Sequence, residues 1–169
     1  VNCSFSGNYV SSYGGAITYM DCEEVTITNC TITLNHAGQR AGGIEVGGVK
    51  SRAGSDLAIE NCIVWGNTAG RLEGDDQIWS GGGGTISFDH SCIQGWTVAD
   101  GGVGNFSRDP LFVDADGGDE IAGTLDDDTR LTAGSSCIDA GNDSSLLLDL
   151  ADLDYDGDTG ETLPVDPDL

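Results

Sequence analysis

The residues best suited to chemistry in this chain are carboxylates at alternate positions. Asp152, Asp154, Asp156 and Asp158 run through Asp152-Leu153-Asp154-Tyr155-Asp156-Gly157-Asp158, and Glu161 follows. Calcium takes several oxygen ligands, and alternating carboxylates around a tight glycine turn let one loop wrap one ion. The twelfth place of such a loop holds Leu163 instead of Glu, so a complete EF-hand is not expected. The competing reading is a solvated acidic tail. Asp114, Asp116 and Asp119 form a second candidate calcium set, although Asp and Gly in that order also suit a turn without an ion. The run Asp126-Asp127-Asp128 reads as a solvated loop.

Acid–base and nucleophilic chemistry have less to draw on. Lys50, Arg40, Arg52, Arg71, Arg108 and Arg130 are the basic residues, whereas a polysaccharide lyase needs such a base beside an anionic sugar. His36 and His90 are isolated and read as surface or packed side chains. No Gly-x-Ser-x-Gly elbow is present for serine chemistry. No catalytic residues are therefore assigned, and the chain is expected not to be an enzyme. A carbohydrate lyase, hydrolase or binding module is the alternative. Trp65, Trp79 and Trp96 recur near similar phases of the sequence, which suits core or corner stacking; a sugar-stacking strip is the other reading.

Charge narrows the partners. The chain has 169 residues with 29 acidic and 6 basic, a net charge of -23. Nucleic acid is excluded as a partner, because phosphate binding needs a basic surface. Anionic membranes and acidic polysaccharides are disfavoured on the same ground. Residues 1–99 hold 10 acidic and 4 basic residues, while residues 100–169 hold 19 and 2. This sets an expected boundary near residue 100. No apolar run is long enough for a transmembrane helix.

The elements that would carry these residues follow from a repeat. Asn2-Cys3-Ser4-Phe5-Ser6-Gly7-Asn8 recurs as Asn29-Cys30-Thr31-Ile32-Thr33-Leu34-Asn35 and as Asn61-Cys62-Ile63-Val64-Trp65-Gly66-Asn67. A degraded copy begins at Ser91-Cys92. The cysteines are spaced by 27, 32 and 30 residues. Gly14-Gly15-Ala16-Ile17 returns as Ala41-Gly42-Gly43-Ile44. Within each element apolar residues alternate, and the phase slips at Asn29, which marks a corner between two strands. Each period therefore holds about three short strands, and stacked periods bury one continuous column. The expected fold is all-β: a right-handed parallel β-helix, or β-solenoid, over residues 1–99, with an irregular acidic C-terminal cap over 100–169.

In that fold Asn2, Asn29 and Asn61 form a corner ladder, buried and satisfying backbone groups. Cys3, Cys30, Cys62 and Cys92 form an inward column. Plain packing accounts for such a column, since a free Cys is a small buried hydrophobe. Neighbours about 4.8 Å apart also admit a disulfide. An in-line column does not converge on a metal. The six cysteines include no C-x-x-C pair, so no zinc ribbon or thioredoxin-like site is expected.

The pairing of Phe5-Ser6-Gly7-Asn8 with Gly14-Gly15-Ala16-Ile17 resembles the F-x-x-N and G-G-A-I repeats of polymorphic outer-membrane proteins, over about residues 1–80. The later copies keep Asn35 and Asn67 but replace Phe with Ile32 and Val64. Beyond them, Gly104-Asn105-Phe106, Asp109-Pro110-Leu111-Phe112-Val113-Asp114 and Arg130-Leu131-Thr132-Ala133-Gly134-Ser135-Ser136-Cys137-Ile138-Asp139-Ala140-Gly141 look like the end of choice-of-anchor Q proteins. Ser136 stands where those proteins commonly have Pro. The resemblance implies an exported, secreted or bacterial cell-surface protein with a parallel β-helix, and it supplies no catalytic residues.

The open ends of a β-helix expose unpaired backbone. Two explanations are open: a piece of a longer helix, or head-to-tail stacking into a homo-oligomer or fibre. The apolar tail Ser145-Leu146-Leu147-Leu148-Asp149-Leu150 would supply a strand to a neighbour. The function expected is an extracellular scaffold or adhesin, with surface glycans as candidate partners.

Overall fold

Left-handed backbone at fixed positions sets the frame. The structure is a computed structural model that describes residues 1–20, 24–47, 56–70, 76–81 and 85–145. Asn2, Asn29, Asn61 and His90 have φ of 52°, 52°, 52° and 48°. Gly7, Leu34, Gly66 and Gly95, five residues further on in each case, have φ of 62°, 55°, 69° and 82°. Asn, His and Gly are the residues that enter this region most readily. Each such residue breaks the pleat and turns the chain, so a short strand is bracketed by two corners.

The first repeat supplies β1 (Ser4–Ser6), β2 (Tyr9–Val10), β3 (Ile17–Tyr19) and β4 (Glu24–Thr28). The second supplies β5 (Thr31–Thr33), β6 (His36–Ala37), β7 (Ile44–Val46) and β8 (Asp56–Glu60). The third supplies β9 (Ile63–Trp65), β10 (Thr68–Ala69), β11 (Ile78–Ser80) and β12 (Ile86–Asp89), and β13 (Cys92–Ile93) opens a fourth. Among the described residues each full repeat thus carries four strands, one more than the alternation alone implies. The second corner cuts in two what reads as one strand.

Strands of equal rank pair in parallel, giving four sheets ordered β1-β5-β9-β13, β2-β6-β10, β3-β7-β11 and β4-β8-β12. The register puts like on like: Phe5, Ile32, Val64 and Ile93 align, as do Ile27, Ile59 and Phe88, and Ile17, Ile44 and Ile78. These side chains form one apolar cluster. Each fully buried member, such as Ile32, Ile44, Ile59 and Val64, contributes about 1.5–3 kcal/mol. Gly15 and Gly42 stack between repeats, where a Cβ on either would strike the backbone of Gly42 and Thr68 respectively.

The parallel pairing runs past residue 100. Val103 bridges Asp89 and Phe106 bridges Cys92, both in parallel, so the stacked region ends near 106. Beyond it, β14 (Phe112–Asp114) and β15 (Asp128–Leu131) form an antiparallel pair. This segment is not placed only at the end of the stack. Gly123 lies against Gly7 of the first repeat, Asn142 bonds Asn61 of the third, and Leu131, Phe112 and Cys137 pack on Ile63, Cys92 and Trp65. Residues 107–145 therefore form a strap along the outer face of the β1-β5-β9-β13 sheet. All three residues of β5 are consequently buried. Among the described residues no helix is long and apolar enough to cross a membrane.

Candidate functional site

The most ordered polar feature is a ladder of amides at the second corner. Asn35 is 1% exposed. Its Oδ1 accepts from the Asn8 backbone N–H (3.0 Å) and from the Asn8 side chain (2.8 Å), and its Nδ2 donates to the Phe5 carbonyl (2.9 Å). Asn67 repeats the arrangement one period on: Oδ1 accepts from Asn35 N–H and Nδ2, and Nδ2 donates to the Ile32 carbonyl. Gln77 and Gln94 end the series, with Gln77 Oε1 accepting from Asn67 Nδ2 at 2.8 Å and Gln94 Oε1 accepting from Gly66 N–H at 2.8 Å. Each amide satisfies backbone groups that a corner leaves without a sheet partner.

Asn2, Asn29 and Asn61 stand above one another, but as the left-handed corner residues themselves. They are exposed or half-buried, and their backbone N–H groups donate to Thr28, Glu60 and Asp89. The buried ladder is therefore Asn8–Asn35–Asn67 rather than this set. Both columns share one spacing. The signal separating them is the residue before each second Asn, namely Gly7, Leu34 or Gly66, which takes the left-handed turn and leaves the Asn free to point inward.

A second ladder begins with cysteine and changes residue type as it proceeds. Thr31 N–H, next to Cys30, donates to the Cys3 carbonyl at 3.0 Å, Cys30 N–H donates to Cys62 Sγ at 3.4 Å, Cys62 N–H donates to Ser91 Oγ at 3.1 Å, and Ser91 N–H donates to Asn105 Oδ1 at 2.9 Å. Cys92 does not belong to this column. Cys92 aligns with Ile63 and Ser91 with Cys62, and a slip of one residue reverses the face. His90 at the left-handed corner, not Cys92, marks the equivalent of Asn61. Cys92 points outward to the strap, with its thiol 3.1 Å from the Arg108 carbonyl. Cys3, Cys30, Cys62, Cys92 and Cys137 are all free thiols. Cys62 is pushed up in pKa because its proton is held toward Cys30, and burial adds to the effect.

One buried charge pair was not legible as a site. Arg40 Nη2 lies 2.7 Å from Glu45 Oε1, with side chains 10% and 2% exposed. The guanidinium is held between the Tyr13 ring of the first repeat at 4.3 Å and the Trp79 ring of the third at 3.7 Å. Such stacking suits the flat guanidinium. Tyr9 and His36 stack similarly outside, 5.2 Å apart, with His36 Nδ1 2.8 Å from Thr68 Oγ1. Trp79 thus serves Arg40, Trp65 packs under the strap and Trp96 against the inner core. The three indoles form no strip.

Comparison with family models, with curated proteins and with solved structures gives no match for this chain.

Asp114, Asp116 and Asp119 sit in and beside a turn. Gly117 N–H donates to the Asp114 carbonyl, Ile121 N–H donates to the Asp116 carbonyl, and Asp119 Oδ1 accepts from Ile121 N–H. Among the described residues no three His, Cys, Asp or Glu side chains gather as a metal site requires. These hydrogen bonds hold the backbone of the turn. Asp152, Asp154, Asp156, Asp158 and Glu161 lie outside the described residues, as does Cys22. The Arg130 guanidinium holds the Asp128 carboxyl down to about 2, at 2.6 Å. The Thr124 hydroxyl donates to Asp126 and lowers it as well.

A cleft of about 510 Å³ opens where the fourth repeat thins to β13 and a single 3-10 turn. Asp76, Gln77, Gln94, Trp96 and Asp100 line it, over Ile78 and Ile93. Asp76 Oδ1 accepts from Ala69 N–H, and Asp100 Oδ2 from Thr97. The Trp96 indole N–H is buried without a partner.

Proposed function

We propose that the chain is a right-handed parallel β-helix that serves as an exported scaffold or adhesin at or beyond the cell surface. The single observation that supports this best is the Asn8–Asn35–Asn67 ladder, in which three successive repeats pass on one pattern of hydrogen bonds. A side chain whose donor and acceptor are both engaged by its neighbours is an extension device, not a ligand-binding group. The hand follows from the strong right-handed preference of parallel crossover connections. The motif resemblance to choice-of-anchor Q proteins and the charge of -23 suit an exported chain in a salty medium.

Head-to-tail stacking is part of the proposal, since a contact that does not close propagates. The test is electron microscopy with sedimentation of concentrated protein, with and without a calcium chelator. Rods are expected. Discrete monomers at every concentration would defeat the stacking. A scattering profile lacking a compact, elongated body would defeat the β-helix itself.

The cleft favours a second reading, a binding module for neutral sugars. Its carboxylates and amides are hydrogen-bonding groups for hydroxyls, and Trp96 offers an indole. Titration of tryptophan fluorescence with neutral oligosaccharides, repeated on Asp100→Ala, tests it. A saturable change lost in the variant supports this module, and a flat titration removes it.

A further inference from the structure

We propose that Cys92 and Cys137 form a disulfide that fastens the strap to the first sheet. Cys92 is on β13, 2% exposed and turned outward. Cys137 follows β15 in the strap and packs on the same small cluster of Ile63, Cys92 and Leu131. The two thiols meet at this one cluster although they stand 45 positions apart in the chain. Among the described residues no sheet hydrogen bonds join this part of the strap to β13. A covalent bond here closes the segment that crosses from the fourth repeat to the first and back.

The other neighbouring pair, Cys30 and Cys62, shows why the location matters. Both are enclosed by the inner core, at 4% and 2% exposure. The Cys62 sulfur already accepts from Cys30 N–H and lies within reach of the Ile27 and Glu60 carbonyls. An oxidant has no path to it, and a bridge would break the ladder. Cys137 is half-exposed, so an oxidant reaches it. Its thiol is also lowered by the bond from Cys92, then opposed by burial, which favours the attacking thiolate.

The oxidant is a small disulfide such as oxidised glutathione. The Cys137 thiolate attacks one of its sulfurs, forms a mixed disulfide and expels one glutathione thiolate. Cys92 then loses its proton to solvent and attacks the Cys137 sulfur, expelling the second. Two protein thiols are oxidised, and one glutathione disulfide is reduced to two thiols.

The test uses the folded chain equilibrated with oxidised glutathione, alkylated in denaturant at mildly acidic pH and digested with trypsin. Arg71, Arg108 and Arg130 place Cys92 in the peptide 72–108, Cys137 in 131–169, Cys62 in 53–71, and the other cysteines in 1–40. The expected product is 72–108 linked to 131–169, two hydrogens lighter than their sum. It should be absent from Cys137→Ser, and the melting temperature of the wild type alone should fall on reduction. Separate alkylated forms of the two peptides, or a link from either to 53–71 or 1–40, overturn the assignment.

Discussion

At the scale of single residues, two columns of asparagine do different work and should respond differently to mutation. Asn35 is fully buried and serves Asn8 N–H and the Phe5 carbonyl. Asn35→Ala strands both, at about 1–3 kcal/mol for each unsatisfied buried group. Asn29 is half-buried, and its value lies in a φ of 52°. Asn29→Gly keeps that conformation and should change stability by less than about 1 kcal/mol. Urea unfolding of the two variants reads the difference. Equal losses would show that the second-corner amides are not the ladder. The sequence carried both columns at one spacing, so the existence of a stacked Asn was legible but its identity was not. What decided it was backbone conformation, which spacing does not report. The Cys92 misassignment has the same origin: matching by residue type overlooked that His90 holds the left-handed corner.

At the scale of elements, the Arg40–Glu45 pair joins three repeats, because Tyr13 and Trp79 close on the guanidinium from either side. Removing one charge from a buried pair costs about 3–5 kcal/mol, whereas replacing both by apolar groups of like size is often near neutral. Arg40→Met and Glu45→Leu should each destabilise strongly, and the double variant should recover most of the loss in a denaturant titration. Additive losses would refute the coupling. The β14–β15 hairpin makes a separate prediction. Asp128 is lowered on folding to about 2, so the folded state binds fewer protons than the unfolded one there. Its contribution is present above the ordinary carboxyl range and fades as pH falls from about 4 to about 2. Both partners are solvent-facing, so salt weakens the effect. Amide exchange at Arg130 and Leu131 should rise across that range in wild type and be flatter in Arg130→Gln. Identical acid profiles would remove Arg130 as the cause. Stacked parallel strands were legible because alternation and repeat length both recur. The fourth strand and the Arg40 cluster were not, because Arg40, Glu45, Tyr13 and Trp79 meet only through a register the sequence does not state.

At the scale of the whole molecule, the strap puts most of an acidic region against a neutral sheet face. The outward residues of that sheet are Ser, Thr, Ile, Trp and Cys: Ser4, Ser6, Thr31, Thr33, Ile63, Trp65 and Cys92. Residues 107–145 carry ten acidic side chains against Arg108 and Arg130, and among the described residues the strands beneath the strap hold no basic residue to receive them. Apolar contacts of Leu131, Phe112 and Cys137 hold it down, while like charges push its loops apart. Screening should therefore stabilise the fold. Raising the ionic strength from about 0.01 M to about 0.15 M shortens the Debye length from about 30 Å to about 8 Å, and the melting temperature should climb across that change in sodium chloride. A flat or falling curve would mean that strap repulsion is not a term in stability. Calcium at matched ionic strength separates screening from binding. An excess over sodium would mark bound calcium, and the alternating carboxylates at 152–158 are the set to test for it. That excess should vanish in Asp154→Ala with Asp156→Ala while the sodium response stays.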